Sequence, residues 1–131
     1  MSEFSDLVGV AAAEELRGAH ADAIHFLQAM GEALQRGDVH LRTYYSSTVG
    51  ASGECLGYYT DDAIVIRSSV AADLWARASG CSKYSIRHMW EALKLAGAGA
   101  ESVKANIGGH SVNARRLDRH AVRELMQEKA V

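Results

Sequence analysis

The chain of 131 residues contains no proline. Its tight bends must be made by Gly, Asp, Asn and Ser. It has two cysteines, Cys55 and Cys81. Two thiols so placed match no disulfide framework and no zinc-ligand spacing, which fits a reducing compartment. No apolar run approaches the ~18–20 residues of a membrane helix. The opening MSEFSDLVGV lacks the basic start and apolar centre of a secretory signal. A cytoplasmic location with no membrane partner is the expectation. What is present is ordinary for a globular protein, with 48% hydrophobic and 23% charged residues, so a folded chain is the expectation. The length suits one domain and leaves no room for a separate cofactor domain.

The net charge of −2 conceals a gradient. Residues 1–40 carry seven acids and two bases, residues 82–123 eight bases and three acids. An acidic first third and a basic last third suggest one face made for an anionic partner.

Periodicity divides the chain. Residues 3–36 read as helix, with Ala23, Phe26, Leu27, Met30, Ala33 and Leu34 on one stripe and a break near Gly18. Residues 37–54 are mixed, then rich in Ser and Gly, and read as a loop. Residues 55–67 read as a β-hairpin bent at Thr60-Asp61-Asp62, because Ala63-Ile64-Val65-Ile66 favours strand and the acids favour the bend. Residues 68–96 read as two helices. The first is capped by Ser68 or Ser69 and stopped by Gly80; the second opens at Ser82 and is stopped by Gly97. Ile86, Met89, Trp90 and Leu93 form the apolar stripe of the second helix. Residues 102–117 read as another hairpin with a Gly108-Gly109 tip. Pairing outward sets Ile107 opposite His110, Ala105 opposite Val112 and Val103 opposite Ala114. Lys104 opposite Asn113 and Asn106 opposite Ser111 then share the polar face. A last helix starts at Asp118.

Helix, hairpin, helix, turn, helix, basic hairpin, helix is the layout of a winged helix-turn-helix. The expected class is α+β, mainly helical, with an added N-terminal helix and an extra β-hairpin. The expected division is a helical segment and flexible loop over 1–54 and the winged helix over 55–131. Helix 82–96 would be the recognition helix and hairpin 102–117 the wing. The candidate DNA-binding residues are Lys83, Tyr84, Arg87, His88 and Lys94 on the helix and Lys104, Asn106, Asn113, Arg115 and Arg116 on the wing. Arginine suits guanine edges and phosphate, lysine chiefly phosphate.

The stretches FLQAMGEALQRGDVHL, LGYYTDDAIVIRSSVAADLWARASGCSKYSIRHMWEALKLAGA and NIGGHSVNARRLDRHAV resemble a C-terminal winged-helix module of bacterial mobile-element ATPases, the plasmid and phage primase-helicases and DNA translocases. The resemblance covers residues 26–123. It runs through Gly37-Asp38-Val39-His40-Leu41, the glycine-led hairpin Gly57 to Ile66, the Ser-capped second helix and the Gly-Gly tip. It implies DNA binding beside a parent or partner ATPase, and a recognition helix in the major groove makes double-stranded DNA the expected partner in preference to single-stranded. The chain departs from that group in having no G-x-x-x-x-G-K-[ST] phosphate loop and a less basic wing. Motor activity is therefore not carried over.

Other chemistry has little support in the residues. The six histidines and two cysteines form no ligand motif, so no metal and no cofactor is expected. Asp61-Asp62 reads as bend chemistry. Ser82 and Ser85 near His88 read as a cap and a surface hydroxyl, with no oxyanion feature. Trp75 and Trp90 lie on apolar stripes and read as core. The pairs Tyr44-Tyr45 and Tyr58-Tyr59 read as rim packing in preference to base stacking. No enzyme is expected. The alternative to DNA binding is a protein-interaction module that docks or homodimerises through the acidic N-terminal helix, whose stripe otherwise packs on its own domain.

Overall fold

A single helix, α1 (Glu3–Arg36), enters the fold first. The computed structural model describes residues 3–43, 53–80, 86–107 and 109–130, with the helical backbone alone over 3–17, at 19 and over 128–130. The expected break at Gly18 is absent. A Cβ there would meet open space, and a helical glycine costs only about 1 kcal/mol. Burial of Phe26 and Leu27 a few turns on outweighs that cost.

Residues 37–54, expected as a loop, contain a strand, β1 (Val39–Thr43). It pairs in parallel with β2 (Glu54–Tyr59), from Val39↔Glu54 to Thr43↔Tyr59, with a bulge between His40 and Leu41. Val39 and Leu41 join the core, and by alternation His40 and Arg42 take the other face. Five residues beside a Ser/Gly-rich stretch are too short for that period to declare itself. Residues 44–52, with Tyr44 and Tyr45, lie outside the described residues.

The hairpin of β2 and β3 (Ala63–Arg67) forms as expected. Thr60 shapes its bend, its Oγ1 accepting from the N–H groups of Asp62 and Ala63 at 3.3 and 3.1 Å. The chain passes from β3 straight into α2 (Ser68–Ser79). The cap expected at Ser68 or Ser69 is replaced by Arg67, extended and without a side-chain cap bond. Arg67 still belongs to the ladder, opposite Ala114, and its Nη1 donates to the Cys55 carbonyl at 3.3 Å. Gly80 ends α2 at φ 71°, its N–H bonded to the Ala76 carbonyl, the left-handed stop that glycine takes without strain. The next helix is described as α3 (Ile86–Leu95); its expected opening at Ser82 lies outside the described residues.

The second hairpin, β4 (Gly99–Ile107) and β5 (His110–Asp118), has the expected register, Ile107↔His110, Ala105↔Val112 and Val103↔Ala114. The last helix, α4 (Arg119–Ala130), is capped by Asp118, whose Oδ1 accepts from the Ala121 N–H at 3.1 Å. The two hairpins are not separate units. β3 pairs with β5 from Ala63↔Asp118 to Arg67↔Ala114, giving one mixed sheet in the order β1-β2-β3-β5-β4.

The fold is α+β, with four described helices and this five-stranded sheet. One sheet face, carrying Leu56, Ile66 and Leu117, packs against Phe26, Leu27, Val70, Trp75, Met89, Leu93 and Leu125 of the four helices. The other face holds a smaller cluster of strand residues, Val65, Ala105 and Ala114, flanked by Tyr58, Val103, Ile107 and Val112. Phe26 of α1 meets Trp75 and Trp90 edge-on at 6.3 and 6.0 Å. The main core therefore draws on both sides of residues 54 and 55. No helix among the described residues is long and apolar enough to cross a membrane.

Candidate nucleic-acid interface

The inner side of α3 is fixed by burial. Met89, Trp90, Ala92 and Leu93 are all buried. Arg87, Glu91 and Lys94 follow at i, i+4 and i+7 and make one exposed ridge. Lys94 Nζ lies 3.4 Å from Glu91 Oε1. Trp90 sits between Arg87 and Lys94 in helical spacing, so the ridge borders the edge of α3 at which Trp90 enters the core. His88 is turned away from that edge. Its Nε2 lies 3.7 Å from Asp22 Oδ2 on α1.

The wing presents two faces. Cross-strand partners point to the same side of a sheet, so Lys104 and Asn113, Asn106 and Ser111, and Ser102 and Arg115 share one face. Lys104 Nζ donates to Asn113 Oδ1, which joins β4 to β5 across that face. Lys104, Asn106, Ser111 and Asn113 are exposed. Arg116 falls on the opposite face, between Val65 of β3 and Glu101 of β4. Two consecutive arginines in a strand cannot serve one surface, and Arg116 stands apart from the other candidates for that reason.

Arg115 connects the wing to the helix. Its guanidinium carbon lies 5.3 Å from the centroid of the Trp90 ring, within cation–π range. Its Nη1 donates to the Ala100 carbonyl at 3.1 Å. This contact brings the polar face of the wing against the edge of α3 that carries Arg87 and Lys94. Arg87 and Lys94 are exposed on α3, with Glu91 as the acid in their ridge, and Lys104, Asn106 and Asn113 are exposed on the wing face that carries Arg115. His88 and Arg116 point elsewhere, Arg115 is half-buried beneath, and Lys83 and Tyr84 lie outside the described residues.

Sequence reasoning missed the structural use of two bases. Besides Arg115, Arg119 donates Nη1 to the Thr60 carbonyl at 2.8 Å and lies 5.2 Å from the Tyr59 ring, tying α4 to the β2–β3 bend. Alternation could place Arg115 on the polar face, but no local signal announces that α3 lies over it. Trp75 and Trp90 are core residues, as expected. Ala23, Phe26, Leu27, Met30 and Ala33 of α1 are buried within the chain itself, so no second copy is needed to cover that stripe.

Other sites are sparse. An open cleft of ≈ 220 Å³ between α1 and α2 is lined by Ala29, Glu32, Arg36, Leu74, Arg77 and Ala78. Its cations are engaged locally, Arg36 with Asp38 and Arg77 with the Asp73 carbonyl. Among the described residues no group of three or more His, Cys, Asp or Glu side chains could hold a metal ion. No family model, curated protein or solved structure matches the chain, and the functional reading rests on the residues and geometry above.

Proposed function

We propose that this chain is a non-catalytic DNA-binding module of winged-helix type, with α3 as the recognition helix and β4–β5 as the wing. The connectivity supports the reading. β3 leads into the α2–α3 pair, α3 leads into the β4–β5 hairpin, and β5 returns to pair with β3, as a winged helix requires. The observation that carries it is the packing of Arg115, on the polar face of the wing, against Trp90 of α3; on this reading Lys104 and Asn113 of that face serve the same surface as the Arg87–Lys94 ridge. On this reading Arg87 and Lys94 meet phosphates or base edges in the major groove, and Lys104 meets the backbone. Service in a plasmid or phage replication or DNA-translocation protein rests on the residue patterns of the sequence.

The test is fluorescence-polarisation titration of double- and single-stranded DNA at two salt concentrations. Three phosphate contacts predict a slope of log affinity on log salt of roughly −2.7 for duplex. The triple variant Arg87→Glu, Lys94→Glu, Lys104→Glu should lose nearly all binding while keeping its circular dichroism spectrum. No duplex binding at low salt, or undiminished binding by the triple variant, would defeat the reading.

A further inference from the structure

The joint between α3 and the wing is made in an unusual way. Gly97, Gly99 and Ala100 take φ of 89°, 85° and 54°, and Ala100 is the non-glycine residue with positive φ among those described. A left-handed alanine is sterically strained, because its Cβ crowds the following carbonyl oxygen. Such a conformation persists where its surroundings over-determine it.

Those surroundings are visible. The Ala100 methyl group is fully buried. Its N–H donates to the Ala98 carbonyl at 3.1 Å, and that carbonyl also accepts from the Asp118 N–H at 2.8 Å. The Ala100 carbonyl accepts from Arg115 Nη1, and the same guanidinium lies over Trp90. Trp90 is in turn held edge-on by Phe26. One half-buried side chain thus joins β5, the register shift of β4 between Gly99 and Glu101, and the helical core. It meets a carbonyl and a ring, and no carboxylate among the described residues.

We propose that Arg115 is a positioning residue. It sets the angle of the β4–β5 hairpin on α3, keeping Lys104 level with Arg87 and Lys94, and does not itself hold a phosphate. The proposal rests on the DNA-binding reading above. A guanidinium is needed because the role demands a planar stack and a directed N–H together; an ammonium supplies charge without the stack.

Arg115→Lys and Arg115→Gln separate the two roles. A positioning role predicts that both variants lose duplex affinity alike, roughly tenfold, and lose the same part of the salt slope, because Lys104 is displaced from its phosphate in both. It also predicts that amides of residues 103–107 and 110–113 exchange with solvent about tenfold faster in Arg115→Lys, while those of the β2–β3 hairpin keep their native rates. A phosphate contact predicts otherwise: Arg115→Lys binds as the native chain does, and Arg115→Gln loses about 0.9 from the slope. That pattern, or unchanged wing exchange in Arg115→Lys, overturns the proposal. Exchange is read without DNA. A native chain that bound no duplex would overturn the DNA-binding reading, and the exchange rates would still decide whether Arg115 holds the wing.

Discussion

Arg115 and Arg116 are neighbours in sequence and opposites in use. One is half-buried against Trp90; the other is exposed on the far face of the sheet. Charge counting treats them alike, whereas the strand period of two already puts them on opposite faces. Gly57 makes a similar point about close approach. A Cβ there would collide with the Val65 carbonyl oxygen and come within 3.0 Å of the Ile66 Cα. Both are backbone atoms of the paired strand β3, so no side-chain rotation relieves the clash. Gly57→Ala should therefore cost about 3 kcal/mol. Thermal unfolding followed by circular dichroism should show Tm lower by roughly 10 °C. A shift of less than about 2 °C would mean that the β2–β3 pairing is looser than its register implies.

At the scale of the element, legibility followed the range of the signal. The β4–β5 register could be read because a Gly-Gly tip and a clean alternation are contained within sixteen residues. Helices α2 and α3 could be read because Val70, Leu74 and Trp75, and then Met89, Trp90 and Leu93, repeat at helical spacing and are buried. β1 was missed because Val39 and Leu41 offer only two apolar positions, and because its partner β2 begins more than ten residues on. The β3–β5 ladder joins residues about fifty apart and has no local signature. The start of the last helix was legible near Asp118 because the stripe Val122, Leu125 follows it; the use of Asp118 as the cap shows only in the structure. Its carboxylate accepts the Ala121 N–H, one of the otherwise unpaired donors of the first turn. Asp118→Ala should lower stability by about 1 kcal/mol. In urea the midpoint should fall while the m-value holds; an unchanged midpoint would show that α4 does not depend on its cap.

At the scale of the whole molecule, the charge gradient of the sequence brings an acid of the first third against α3. α1 crosses beside α3, and His88 of α3 reaches Asp22 of α1. Among the described residues, Asp22 is thus the acid of the N-terminal third that the contacts tie directly to α3. It pairs with an exposed imidazole and is partly exposed itself, so it contributes little to stability. Its effect on a bound duplex is long-range. A unit charge about 10 Å from a phosphate in water is worth roughly 0.4 kcal/mol, a factor of two in affinity. The Debye length is about 30 Å at 0.01 M salt and about 8 Å at physiological salt. Asp22→Asn should therefore tighten duplex binding about twofold near 0.01 M salt and have little effect at 0.15 M, with the melting temperature unchanged. The same titration on Glu124→Gln supplies the control, because that residue lies on α4 beside His120. Equal gains from the two variants would mean that only net charge matters. A gain from Asp22→Asn alone would mean that the duplex sits on the α3 side of the molecule, as the recognition-helix reading demands.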